Sequence, residues 1–333
     1  MSTDRKVVFT QNYLDGETTS FLRSHGCCLE SPALPEGVAE RNLSEDQLVE
    51  LLQEAQGWIV GHPLITRSLL KRLPDLKVIA RRGVGYERVD VQAVRDLGRV
   101  LAIGAGGNDA SVADHTLGLI LSVGSRLRDS QRRMEEGDWR ILPSHDLNGK
   151  TVGILGFGRI AKSVVRRLSG FDARVLVCTR SPVETPDVTF VDFETLLRES
   201  DVLTLHAPLN ENTRHIINGD TLARMKPGAI LVNTARGGLV DDRALLSALE
   251  SGQLLGAGLD VFESEAQPEL KPVSEALIAR PDVVTTPHAG ASSMEGLART
   301  NMVAARAVVA ILDGHEPPPG TVIADGRTLA ATA

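Results

Sequence analysis

The 333-residue chain is 42% apolar and 24% charged with a net charge of −7, the composition of a globular protein with enough residues for two cores. No basic stretch points to a nucleic-acid surface, and no apolar run is long enough to cross a membrane. The three cysteines, Cys27, Cys28 and Cys178, are odd in number and lack metal-ligand spacing, so neither a disulfide framework nor a metal site is expected.

In chain order, the start, Met-Ser-Thr-Asp-Arg-Lys, leads into no long apolar run, and a cytoplasmic protein is expected. Val7–Thr10 reads as a strand. Ser44 and Gln47 form a capping box ahead of the helical face Leu48, Leu51, Leu52 and Ala55. Strands follow at Trp58–Val60 and Leu76–Ala80, with a helix between them capped by Thr66. A short helix, Asp90–Leu97, precedes a strand at Val100–Ile103. This alternation predicts a small α/β domain of parallel strands. After a glycine-rich break at Gly104–Asn108, one long helix is expected from Ser111 to Met134, with Val112, His115, Leu119 and Val123 on one stripe. Its basic end, Arg126, Arg128, Arg132 and Arg133, reads mostly as a solvated face.

The second half alternates again. Strands are expected at 151–155, 174–178, 188–190, 201–205, 229–233, 255–259 and 283–286, and helices at 159–169, 192–199, 219–225 and 241–251. Asp192 and Asp241 serve as N-caps. Met294–Leu312 reads as a return helix, followed by an extended tail rich in Pro, Gly, Ala and Thr. The first domain is therefore expected to be discontinuous, 1–107 with 288–333. The second, 108–287, is inserted into it.

The stretch Gly149-Lys-Thr-Val-Gly-Ile-Leu-Gly-Phe-Gly-Arg-Ile-Ala161 is a strand, a glycine turn and a helix start. Gly156 permits the tight turn, Gly158 lets a pyrophosphate approach the backbone, and Arg159 and Ile160 open a helix whose free N–H groups favour an anion. That reads as a dinucleotide site. The adenosine end is read after the strand ending at Cys178. A carboxylate there would bind the ribose hydroxyls, but the chain has Thr179, Arg180 and Ser181, groups suited to a 2′-phosphate. The expected cofactor is NADP(H), with NAD(H) possible. Arg180 stacking on the adenine without discriminating is the other reading.

Three polar residues follow strand ends. Arg236 offers a fork for a carboxylate. His288 can move a proton near neutral pH. Glu265, hydrogen-bonded to that ring, would raise its pKa and orient it. Together they are the parts needed to reduce a 2-keto acid. Spacing alone also admits three separate surface or capping residues.

With these residues in place, the chain resembles the D-isomer-specific 2-hydroxyacid dehydrogenase family over roughly residues 50–318. The segment Val232-Asn-Thr-Ala-Arg-Gly-Gly-Leu-Val-Asp241 is similar to its signature. The resemblance implies two Rossmann-like, doubly wound parallel-sheet domains, with the cofactor domain inserted into a discontinuous substrate domain, usually as a homodimer. It implies that Arg236 binds substrate, that His288 is the acid/base with Glu265 as its partner, and that Asp260 contacts the nicotinamide carboxamide. Glu263 is the alternative partner, because Ala266 and Gln267 stand before Pro268 where the family usually has Pro directly, but Asp260-Val-Phe-Glu-Ser-Glu265 fits the motif without a gap. His206, Pro208, Thr234, Ala235, His288 and Gly290 would lie along the cofactor. The backbone of Val84 and Gly85 would hold the substrate carboxylate. Gly61-His62-Pro63 lacks the arginine with which phosphoglycerate dehydrogenases read a phosphate, although Arg81 and Arg82 could compensate. No regulatory serine-binding domain is expected after residue 318. The expected substrate is thus a small 2-keto acid such as glyoxylate or hydroxypyruvate. Two alternatives are D-3-phosphoglycerate dehydrogenase activity and a non-catalytic, NAD(H)-binding regulator of the corepressor type.

Overall fold

The computed structural model describes residues 5–183 and 185–327; the charged start Met1–Asp4 and the end of the expected tail, beyond residue 327, lie outside the described residues. The backbone forms two compact units. Unit 1 ends its first segment at Asn108 and resumes at Ser292, and unit 2 runs Asp109–Ala291. His288 thus shares a unit with Arg236 and Glu265.

The first segment of unit 1 runs β1 (Arg5–Phe9), α1 (Gly16–Ser24), β2 (Cys27–Glu30), α2 (Glu45–Leu51), β3 (Gly57–Val60), α3 (Arg67–Lys71), β4 (Val78–Arg81), α4 (Val91–Asp96) and β5 (Val100–Ile103). Side-chain oxygens of Asp15, Ser44, Thr66 and Asp90 accept from N–H groups in the first turns of α1 to α4, and the Ser44–Gln47 box closes reciprocally. Neither α1 nor β2 was expected from the sequence. Among the large residues of α1 only Phe21 and Leu22 are apolar, and β2 is four residues long, so neither carries a readable period.

Unit 2 runs α5 (Asp109–Gly124), α6 (Leu127–Glu135), β6 (Thr151–Leu155), α7 (Arg159–Leu168), β7 (Arg174–Cys178), β8 (Thr189–Phe190), α8 (Phe193–Glu199), β9 (Val202–Leu205), α9 (Gly219–Arg224), β10 (Ala229–Asn233), α10 (Asp242–Glu250), β11 (Leu254–Leu259), α11 (Lys271–Ala279) and β12 (Val283–Thr285). The long helix expected from 111 to 134 is two helices. Arg126 takes a left-handed φ of 53° at the break, where the apolar stripe ends. Three of the four arginines of its basic end are engaged, and Arg132 is exposed. Arg126 and Arg133 both pair with the buried Asp129, at 2.7 and 3.2 Å, and Arg128 donates to the carbonyls of Val283 and Ile278, each at 2.6 Å. α11 was also unread, its start being marked only by Pro272 in the first turn.

The return segment adds α12 (Met294–Leu312) and β13 (Val322–Asp325) to unit 1. β13 corrects two expectations. Part of the tail is a strand, and it pairs antiparallel with β5, so the first sheet is not wholly parallel.

Among the described residues the sheet of unit 1 has the order β13-β5-β4-β3-β1-β2, and that of unit 2 the order β12-β11-β10-β9-β6-β7-β8. Apart from β13 all pairings are parallel. Both faces of each sheet are buried, as parallel strands require. In unit 1, Val8, Trp58, Ile79 and Leu101 face the α2–α4 side, while Val7, Ile59, Val78 and Val100 pack with Ala304, Val308 and Ile311 of α12. In unit 2, Leu176, Leu203 and Leu231 face α8–α10, and Ile154, Val177 and Val232 pack with α5 and α7. No helix among the described residues is long and apolar enough to cross a membrane.

Candidate active site

Chain order in unit 2 reverses between β6 and β9, which puts a crevice at the carboxyl ends of the strands. The residues predicted for the cofactor and the reaction in this unit all lie in segments that leave this edge. Gly156 ends the β6 turn with φ 93°, and a Cβ there would meet the carbonyl oxygen of His206 at 2.7 Å. Only glycine supplies that conformation in that space. Gly158 caps α7 without a side-chain hydrogen bond, and nothing stands within 4 Å of where its Cβ would be. The N-terminus of a ten-residue helix thus starts at a glycine that brings no side chain to it, the setting a pyrophosphate needs. Ile160 is half-buried, and Arg159 is drawn aside to Asp109 at 3.1 Å.

Thr179, Arg180 and Ser181 follow β7, with Arg180 and Ser181 exposed. His206 follows β9, its Nε2 3.0 Å from Thr204 Oγ1. Burial pushes this imidazole down to about 4, so it is neutral at pH 7. The carbonyl of Pro208 accepts from Thr213 Oγ1 at 2.6 Å. After β10, Thr234 shares a 3.0 Å hydrogen bond with Thr116, and the Ala235 N–H donates to Asn233 Oδ1 at 3.0 Å.

Arg236, Glu265 and His288 leave the neighbouring strands β10, β11 and β12. The turn that carries Arg236 is tied by the buried Asn233, whose amide donates to the Arg236 carbonyl at 2.9 Å. The half-buried Arg236 guanidinium donates to the Ala235 carbonyl at 2.7 Å. Glu265 closes a 3₁₀ turn, where one carboxylate oxygen accepts from the Phe262 N–H at 3.0 Å. Its other oxygen lies 2.8 Å from His288 Nδ1. With Nδ1 so engaged, Nε2 is the nitrogen that can exchange a proton with a substrate.

Asp260 builds the His288 loop from inside. Only 2% exposed, it accepts from Thr286 Oγ1 at 2.6 Å and from the N–H groups of Ala289 and Gly290 at 2.7 and 2.9 Å. His288 itself has a left-handed φ of 57°, held by its N–H on the carbonyls of Asp260 and Thr286. His115 Nε2 reaches Thr286 Oγ1 at 2.8 Å. Burial works against ionisation of Asp260, but bonds from His115, Thr286, Gly290 and Ala289 outweigh it and hold the carboxyl below its usual range.

A further group was not expected from the sequence. The Asp242 N–H donates to Glu263 Oε2 and the Glu263 N–H donates to Asp242 Oδ2, both at 3.1 Å. His215 Nε2 lies 2.5 Å from Glu263 Oε1. Both carboxylates are at most 3% exposed. This reciprocal tie joins the start of α10, just after the Arg236 turn, to the 3₁₀ turn that ends in Glu265. Glu263 is thus taken up by Asp242 and His215, and Glu265 is the glutamate on His288. No local period marks such a tie; the signal was only the acidic pair Asp241-Asp242.

In unit 1, Val84 and Gly85 leave β4. Arg82 donates to Gln11 Oε1 at 2.5 Å and to the Tyr13 carbonyl at 3.2 Å, and Arg81 is only 3% exposed. Neither forms a solvated basic face.

Residues 117–290 match the family model for the NAD binding domain of D-isomer specific 2-hydroxyacid dehydrogenases. Hydroxypyruvate reductase of Thermotoga maritima is 37% identical to this chain, over 80% of it and 87% of the relative. D-3-phosphoglycerate dehydrogenase of Methanocaldococcus jannaschii is 34% identical over 82% of this chain but only 53% of its own length. The structure of the TT0316 protein from Thermus thermophilus superposes with a TM-score of 0.84 at 35% identity, covering 96% of this chain and 99% of that one.

Proposed function

The chain belongs to the D-isomer-specific 2-hydroxyacid dehydrogenase family, and we propose that it reduces a small 2-keto acid, of the size of glyoxylate or hydroxypyruvate, to the 2-hydroxy acid. The observation that carries this reading is the 2.8 Å contact between His288 Nδ1 and Glu265 Oε2, across the segments that follow β12 and β11, with β11 next to the strand β10 that ends in the Arg236 turn. A bound nicotinamide cofactor would supply the hydride, and the open N-terminus of α7 with the glycine turn before it suits its pyrophosphate. Arg236 would hold the substrate carboxylate in two-point contact and polarise the ketone. His288 would deliver the proton to the keto oxygen from Nε2, while Glu265 balances the imidazolium and fixes the ring plane. The backbone N–H groups of Val84 and Gly85, in unit 1, would also bind a substrate carboxylate.

Thr179, Arg180 and Ser181 favour NADP(H), with NAD(H) also accepted. Trp139 and Ile141, 77% and 94% exposed, are large apolar side chains of the kind a second copy covers, which supports a homodimer. Sedimentation of the wild-type chain tests that assembly.

The test of the activity is turnover. Purified protein should oxidise NADPH or NADH with at least one of glyoxylate, hydroxypyruvate, pyruvate and phosphohydroxypyruvate. Cofactor binding without turnover across that panel would instead support the non-catalytic, corepressor-like reading.

A further inference from the structure

In unit 1 the adjacent strands β1, β3 and β4 end at Phe9, Val60 and Arg81. The segments that leave them, Thr10–Gln11, Gly61–His62 and Arg82–Gly85, therefore lie side by side along one edge of the sheet. Glu40, 7% exposed, is anchored into the first two. Its carboxylate accepts from Thr10 Oγ1 at 2.5 Å, from the N–H groups of Gly61 and His62 at 3.0 and 2.9 Å, and from the Gln11 amide. Trp58 Nε1, which can only donate, sits 2.9 Å from Thr10 Oγ1, so the Thr10 proton points to Glu40. All four partners are donors, the set an ionised carboxylate takes. Glycine at position 61 leaves this arrangement its room, because a Cβ there would overlap the Glu40 carboxylate and the Gln11 amide and push them aside. Arg82, a cation within reach of the Glu40 charge, is joined to it through Gln11 and also donates to the Tyr13 carbonyl.

Two consecutive backbone N–H groups with a hydroxyl and an amide beside them make a hollow for an anion. Here the protein's own carboxylate fills it. We propose that Glu40 is a specificity-determining residue that places a fixed negative charge beside the Val84–Gly85 loop and excludes 2-keto acids bearing a second anionic group. The substrate class is then a 2-keto acid whose far end is hydrogen, methyl or hydroxymethyl. A phosphate or second carboxylate would meet Glu40 instead of the donors that Glu40 occupies, and a buried like charge opposes binding strongly.

This rests on the keto-acid reductase reading, and the test separates the two. Steady-state rates are measured for wild type and Glu40→Gln with hydroxypyruvate and phosphohydroxypyruvate. In wild type, kcat/KM for the phosphorylated acid should be lower by about 100-fold or more. Glu40→Gln keeps the shape without the charge and should narrow that gap by about tenfold. Similar kcat/KM for the two acids in wild type overturns the role of Glu40 while leaving the reductase reading intact. An unchanged ratio in a Glu40→Gln protein with wild-type Tm does the same. Where that variant does not fold, inhibition of wild type decides: weaker inhibition by 3-phosphoglycerate than by D-glycerate supports the exclusion, and equal inhibition overturns it. Absence of turnover with every keto acid overturns both readings together.

Discussion

Nδ1 of His288 stands 2.8 Å from Oε2 of Glu265, across the loops that leave β12 and β11. The glutamate is itself held by the Phe262 N–H and the histidine by the carbonyls of Asp260 and Thr286. The pair is therefore oriented before any substrate arrives, which is what general acid–base work requires.

His288→Ala should lower kcat by roughly 10²–10⁴-fold, the range for a lost general acid, with cofactor affinity little changed. Glu265→Gln keeps the shape but not the charge and should fall between wild type and His288→Ala. Stopped-flow reduction of a keto acid and fluorescence titration of the cofactor measure the two effects. An undiminished kcat in His288→Ala would remove the residue from the mechanism.

Arg236→Lys replaces a planar fork with a point charge. Losing one charge-assisted hydrogen bond is worth about 1.5–3 kcal/mol. By that loss, kcat/KM for the keto acid should drop about 10–100-fold, and KM should carry much of the change. Equal kcat/KM in the two proteins would mean that the carboxylate is held elsewhere.

NADPH should be preferred to NADH in kcat/KM, and Arg180→Ala should erase most of the preference, roughly tenfold, by removing a cation from the 2′-phosphate. A wild type that favours NADH sinks the NADP(H) assignment. A wild type that favours NADPH with Arg180→Ala unaltered would assign the preference to other groups.

The Asp242 carboxyl is pushed up to about 7 by burial, and the charge of Glu263 adds to the rise. The unfolded chain releases that proton near 3.8. Between about pH 4 and pH 7 the native state thus holds a proton that the unfolded state has lost, so this group makes stability fall as pH rises across that window. Asp242→Asn cannot ionise and lacks the slope. In urea unfolding, the stability of Asp242→Asn relative to wild type should rise by roughly 2–4 kcal/mol from about pH 4.5 to about pH 7.5. A difference that stays flat with pH would show that Asp242 does not titrate in this range.

The two βαβ runs, the glycine turn at Gly156–Gly158 and the caps at Ser44, Thr66, Asp192 and Asp241 were legible because each is a local matter: a repeat of two or 3.6, a hydroxyl or carboxylate before a helix, a glycine between strand and helix. The strand-end positions of Arg236, Glu265 and His288 were legible for the same reason, since a parallel sheet sends every strand end to one edge. α1, β2 and α11 escaped because short or polar-rich elements carry little period, and the break at Arg126 because nothing local forbids a continuous helix there.

The sequence by itself determined which residue types stand at the ends of which strands. Only the tertiary structure decided which of them meet. Glu265 rather than Glu263 reaches His288, Glu263 pairs with Asp242 21 positions away, the Asp260 carboxylate turns into the 286–290 loop, and Glu40 closes on Gly61, also 21 positions away. Each depends on carboxylates brought to backbone N–H groups or side chains of distant segments, whose free energy comes from desolvated donors finding acceptors once the sheets have formed. No pattern within one element encodes that.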